Sequence, residues 1–146
     1  MDCNMPDSQL ENCIVKHEGI KKSVYKDSLG YDTVGIGFCV DARLDLGLSV
    51  EECMMILRSR IANLESRLSQ YPWYNNQDDV RKGVLVELSY NLGVNGLLKF
   101  VKFLAAMEAK DYLKAANELR DSKWATQVGK ERFNDIWNRV RLGRYA

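Results

Sequence analysis

A chain of 146 residues with 46% hydrophobic and 28% charged residues has the composition of one globular domain. Two prolines, ten glycines and three tryptophans exclude a coreless chain, and no apolar run nears the ~20 residues of a membrane span. The net charge of +1 gives no whole-chain signal for nucleic acid, although the stretch from Arg120 to the end carries seven bases against three acids.

The first twelve residues contain acids but neither a basic n-region nor an apolar h-region, so no secretory signal is read and a cytosolic start is expected. Ser8-Gln9-Leu10-Glu11 reads as a capping box. It predicts a helix with Leu10, Ile14 and Val15 on its apolar face, stopped by Gly19. Glu18 then stands at the C-terminal end, where the helix dipole disfavours an anion. Val24 and Tyr25 read as strand, Asp27 to Gly30 as a tight turn, and Tyr31 to Gly37 as a returning strand bent by Gly35 and Gly37. A short loop, Asp41 to Leu48, follows.

Ser49-Val50-Glu51-Glu52 is a second capping box, opening a long helix to about Gln70 with Leu57, Ile61, Leu64 and Leu68 in one seam. Tyr71-Pro72 closes it, because the residue before proline avoids helical geometry. Everything from residue 77 reads as helical. Val80, Val84, Leu85, Leu88 and Leu92 share a face before Gly93, followed by helices over Leu97–Lys110, Asp111–Arg120 with Asp111 as N-cap, and about Val128–Leu142. Trp73, Trp124 and Trp137, among apolar helical neighbours, read as core. The expected architecture is α+β: one domain over 1–146, with a hairpin lobe at about 19–48, a bridging helix at about 49–70, and a helical lobe over 71–146 that includes the N-terminal helix. A groove is expected between the lobes.

Cys3, Cys13, Cys39 and Cys53 are separated by 10, 26 and 14 positions, without a C-x-x-C pair, and His17 is the single histidine. That excludes the usual zinc spacings and leaves four free thiols as small hydrophobes. Gly35-Ile36-Gly37 lacks the third glycine of a dinucleotide fingerprint and lies in a strand. No metal or cofactor is expected.

Glu18, Asp27 and Thr33 follow one another at intervals of nine and six. A helix leading into a hairpin can set all three around one opening, and glycosidic hydrolysis needs an acid and a second carboxylate. With 20 acids in the chain, the spacing alone is equally that of a surface Glu, a turn-capping Asp and a strand Thr.

The surrounding words are more specific. His17-Glu18-Gly19, Tyr25-Lys26-Asp27-Ser28-Leu29-Gly30-Tyr31 and Thr33-Val34-Gly35-Ile36-Gly37 resemble the active-site region of the phage T4-type lysozymes, glycoside hydrolase family 24. Ser89-Tyr90-Asn91-Leu92-Gly93 resembles the family's cleft-lining segment, and Trp124 to Gln127 with Gly143-Arg144-Tyr145 its C-terminal end. The resemblance runs from Leu10 to Tyr145. It implies an endolysin, a muramidase that cuts the β-1,4 bond between N-acetylmuramic acid and N-acetylglucosamine in peptidoglycan. It further implies Glu18 as general acid, Asp27 as the carboxylate activating water, and Thr33 as the group positioning that water.

Tyr90, Asn91 and Phe38 are then expected to touch the sugar, and Arg132 to support the acid; for Tyr90 and Asn91 helix-end packing is the equal alternative, and for Arg132 a plain surface position. Family members invert configuration, which calls for carboxylates ~6.5–9.5 Å apart. Phe38 stands where the family commonly has His, so an ion pair of that His is missing here, and a short connection to the long helix trims the rim. The expected partner is the peptidoglycan glycan strand, met by a monomer without nucleic acid or membrane insertion, after release from the host cytoplasm with a holin. A wall-binding protein of the same fold without catalysis is the alternative, and chitin-like polymers are the rival substrate.

Overall fold

The computed structural model describes residues 5–41, 43 and 47–145, and its Cα packing divides the chain into two compact units, Met1–Met55 and Ile56–Ala146.

In the first unit, helix α1 (Met5–Glu18) ends at Gly19, whose φ of +73° suits a residue without a Cβ and whose N–H donates to Val15 O at 2.7 Å. The helix begins three residues before Ser8, so Ser8 lies inside it and not at its N-cap position; Pro6 is accepted in the first turn, where its missing N–H costs nothing. Cys3 falls outside the described residues.

Strands β1 (Lys21–Lys26), β2 (Asp32–Gly35) and β3 (Phe38–Cys39) form an antiparallel sheet in that order. The sequence reading made Tyr31 to Gly37 one bent strand. Instead Gly35 and Gly37, both at positive φ, reverse the chain, and β3 returns alongside β2 with Thr33 opposite Cys39 and Val34 opposite Phe38. Thr33 therefore sits on the central strand, flanked by Tyr25 and Cys39.

Helix α2 (Val50–Leu68) opens with the capping box read from the sequence: Ser49 N–H donates to Glu52 Oε1 at 2.7 Å, and Glu52 N–H to Ser49 Oγ at 3.1 Å. It is followed by α3 (Pro72–Asn75), α4 (Asp79–Leu92), α5 (Val94–Leu98), α6 (Val101–Glu108), α7 (Tyr112–Arg120), α8 (Lys123–Gln127) and α9 (Lys130–Leu142). Asp78, Asp111 and Ser122 cap α4, α7 and α8 through their side-chain oxygens. The stretch expected as one helix over Leu97–Lys110 is broken at Phe100, whose ψ of 58° leaves the helical region while its ring meets Phe103 edge-on.

Of the α2 seam, Leu68 is fully buried and Ile61 and Leu64 pack against the core, while Leu57 is half-buried outside it. Leu85, Leu88, Leu97, Phe103, Met107, Leu119, Ile136 and Val140 complete that core. Trp73 and Trp124 are buried in it and Trp137 packs on it, as expected of core tryptophans.

Two polar fasteners cross the second unit. Buried Gln77 donates through Nε2 to Trp73 O and Met107 O and accepts from Tyr112 Oη at 2.7 Å. The Arg81 guanidinium lies 3.4 Å from the centre of the Tyr112 ring, pairs with Asp78, and donates to Val140 O (2.7 Å) and Arg141 O (3.0 Å) at the end of α9. There Gly143, left-handed at φ 68°, closes the helix.

Candidate active site

The hairpin positions its polar side chains through short hydrogen bonds. Asp27 directly follows β1, and its Oδ1 accepts from Leu29 N–H and Tyr31 N–H, both at 2.9 Å, which fixes the carboxylate to its own turn. Asp27 N–H in turn donates to Tyr31 O at 2.9 Å. The same Tyr31 carbonyl accepts from Thr33 Oγ1 at 3.0 Å. One residue thus ties Asp27 to Thr33. Among the described residues no group donates to Asp27 Oδ2, and because the Thr33 hydroxyl spends its proton on Tyr31, it faces any other partner as an acceptor. Thr33 is 3% exposed and Asp27 half-buried.

Glu18 closes α1 and is exposed. Its carboxyl lies against the β2–β3 turn so closely that a Cβ on Gly37 would stand 2.9 Å from its Cδ. Gly37 is therefore a glycine for two reasons, a positive φ and the room its neighbour needs. Phe38 is 52% exposed on β3, with its ring folded over Gly35.

No local sequence signal points to the clasp behind this turn. Asp41 is 5% exposed; its Oδ2 accepts from Asp32 N–H at 3.0 Å and from Arg43 Nη2 at 2.7 Å, while Arg43 Nη2 also reaches Gly30 O at 2.9 Å. The Arg43 side chain, helped by the backbone N–H groups of Asp32 and Arg43, holds the Asp41 carboxyl well below the usual carboxylate range. An aspartate two residues before an arginine after a strand is too common a pattern to reveal such a brace.

The remaining candidates lie in the second unit. Tyr90 is exposed near the end of α4, and Asn91 Oδ1 accepts from Trp124 Nε1 at 3.0 Å, so its amide oxygen is spent on holding α8. Arg132, on α9, stands 3.4 Å from Glu87 Oε2. Glu87 also receives Arg139 at 2.6 Å, and Asp135 takes the same guanidinium at 2.9 Å. Arg139 is buried; desolvation is the largest single influence and opposes its charge, but the hydrogen bonds and negative charges of Glu87 and Asp135 together outweigh it and its pKa is raised.

Two cavities touch Tyr90. The larger, about 540 Å³ along α2, α4 and α9, balances Lys82, Arg132 and Arg139 with Glu65, Asp79 and Glu87. The smaller, about 450 Å³ between α2 and α4, has Arg60 and Arg67 and no acid in its lining. Among the described residues no group of three or more His, Cys, Asp or Glu could hold a metal ion, and no helix is long and apolar enough to cross a membrane. Cys13, Cys39 and Cys53 are free thiols.

Two probable T4-type lysozymes of Dictyostelium discoideum are 24% and 27% identical to the chain, covering 83% and 84% of it and 87% and 88% of their own lengths. The pre-baseplate central spike protein Gp5 of Enterobacteria phage T4 is 26% identical over 84% of the chain but only 26% of its own length. The phage lysozyme family model matches residues 15–141, a span that includes every candidate discussed above. The mostly helical fold with its three-stranded sheet is that of a lysozyme-like α+β protein. The chain belongs to the phage lysozyme family, and with it to the lysozyme-type glycoside hydrolases.

Proposed function

We propose that the protein is a muramidase that hydrolyses the β-1,4 bond between N-acetylmuramic acid and N-acetylglucosamine in bacterial peptidoglycan. The observation that carries this reading is the Asp27–Tyr31–Thr33 linkage, which presents a free carboxylate oxygen from the hairpin turn and an accepting hydroxyl from the strand that follows it. Water held there accepts the pull of Asp27 on one proton and gives the other to Thr33 as a hydrogen bond, leaving an oxygen lone pair to attack the anomeric carbon. Glu18, at the negative end of α1 and packed on Gly37, gives its proton to the departing sugar oxygen. Attack by water on the face opposite the leaving group inverts the anomeric centre. Phe38 and Tyr90 are each exposed, and each ring can stack on a sugar of the glycan strand. The enzyme works as a monomer on the cell wall, reaching it from the cytoplasm by way of a membrane-opening partner.

Glu18→Gln keeps the size of the side chain and removes the proton. The variant is expected to fold as wild type by circular dichroism and to lose lysis of a cell-wall suspension; retention of even a tenth of the activity would show that Glu18 is not the acid. NMR of the freshly released sugar is expected to give the inverted anomer, and the retained one would remove water attack by Asp27 from the scheme.

A further inference from the structure

The cavity between α2 and α4 is built differently from its neighbour. Arg60 and Arg67 are seven residues apart on α2, so they lie on one face, about 10.5 Å from each other along the axis. Asn63 and Leu64 lie between them, and Ser89 and Tyr90 of α4 form the opposite wall. Among the described residues neither arginine has a carboxylate within ion-pair distance, whereas both arginines of the larger cavity, Arg132 and Arg139, are paired with Glu87. The Ser89 hydroxyl is 1% exposed and has no hydrogen-bond partner among the described residues. Buried hydroxyls are normally satisfied, so an orphan at the wall of a cavity marks a place for a ligand acceptor. Two free guanidiniums, an amide, a hydroxyl and an aromatic ring around 450 Å³ suit an anion carried on a small, partly apolar body.

We infer that the Arg60–Arg67 cavity is a carboxylate-binding subsite that takes the acidic arm of the muramic acid residue. The inference rests on the proposed peptidoglycan activity, because that polymer carries carboxylates on every second sugar, on the lactyl group or on the peptide attached to it. A guanidinium at each end lets the arm be held at its carboxylate while the Tyr90 ring covers the adjoining apolar part. The site supplies affinity and orientation and no group to the reaction. Its loss therefore raises KM and leaves kcat in place.

Binding is measured on the whole chain by NMR titration with three probes: N-acetylmuramic acid, which bears the lactyl carboxylate; N-acetylmuramoyl-L-alanyl-D-isoglutamine, whose carboxylate is on the peptide; and the methylamide of the latter. Wild type is expected to bind at least one of the two acids at least tenfold more tightly than the methylamide, and the tighter acid names the source of the carboxylate. Arg60→Gln with Arg67→Gln is expected to abolish that preference, with thermal unfolding unchanged because both side chains are exposed. Ser89→Ala is expected to weaken the preferred acid severalfold. On walls, the double variant is expected to raise KM while keeping kcat. Wild type that binds neither acid better than the methylamide, or a double variant that keeps the preference, overturns the subsite. These titrations need no turnover, so they stand apart from the Glu18→Gln result.

Discussion

The two units keep their shapes by different means. Every buried hydrophobic side chain among the described residues belongs to the second unit, from Leu68 to Val140. In the first unit the buried residues are Thr33 and Asp41, both polar. Its hairpin is shaped by carboxylates accepting backbone N–H groups, by Arg43 reaching Gly30, and by glycines in the left-handed region. The helical unit gains stability from area removed from water, while the hairpin gains definition from directional bonds. Chemistry needs the second kind, since a hydrogen bond fixes an atom and an apolar contact only fixes a volume. The catalytic candidates lie where burial is least and hydrogen bonding most local.

This contrast can be broken by substitution. The largest effect is expected in the helical core. Leu85→Ala removes a fully buried side chain and is expected to cost about 2–5 kcal/mol in urea unfolding, whereas Val24→Ala, exposed on β1, is expected to stay within about 0.5 kcal/mol. Equal costs would erase the distinction between the units.

Next in size is the ionic group around buried Arg139 in the helical unit. Glu87→Gln takes a negative charge from buried Arg139 while leaving Asp135 and a neutral acceptor in place. Because Glu87 is itself a third exposed, the expected loss is only about 1–2 kcal/mol, read as a lower Tm by a few degrees. No change would mean that Asp135 alone suffices.

The hairpin counterpart is Asp41→Asn, which is expected to leave the global Tm nearly unchanged and to speed amide exchange at Asp32 and Arg43. The folded carboxyl is held below its ordinary value. Its contribution is therefore complete above the unfolded pKa of about 3.9 and is lost as pH falls below that toward the folded value. The difference between wild type and variant is thus expected to be full at neutral pH and to shrink in strong acid. A difference that grows in acid would assign the brace to some other group.

The smallest effect concerns approach to an anionic wall. The basic stretch from Arg120 onward is expected to make lysis fall with salt between 0.1 and 1 M, as the Debye length shrinks from ~10 to ~3 Å. Arg141→Gln with Arg144→Gln is expected to flatten that slope severalfold or less. Arg141 is partly tied to Trp137 and Asn138, so Arg144 carries the larger share. An unchanged slope would leave both arginines with a surface role only.

Local rules made much of this molecule readable. The Ser49–Glu52 box, the Gly19 stop, the Asp111 cap and the α2 seam each depend on residues within one or two turns, and each stands where the sequence puts it. Errors arose where a local signal had two meanings. Gly35 and Gly37 could bend a strand or end it, and pairing with β3 decided for the end. Ser8 could cap a helix or continue one, and the helix had already begun at Met5. The Asn91–Trp124 bond spans 33 positions and the Asp32–Asp41 bond nine, and no periodicity carries either. The motif spacing of Glu18, Asp27 and Thr33 was legible; that Tyr31 joins the last two through its own backbone was not.

Arg81 has a consequence for timing. Its bonds to Val140 and Arg141 close loops of 59 and 60 residues, and they hold the very end of the last helix. Such contacts form only after the intervening chain has been gathered, so they contribute little to the rate of folding. They must, however, be broken before the terminal helix can peel away. The Arg81 fastener therefore acts on the lifetime of the folded state more than on the speed of reaching it, delaying the first step of unravelling.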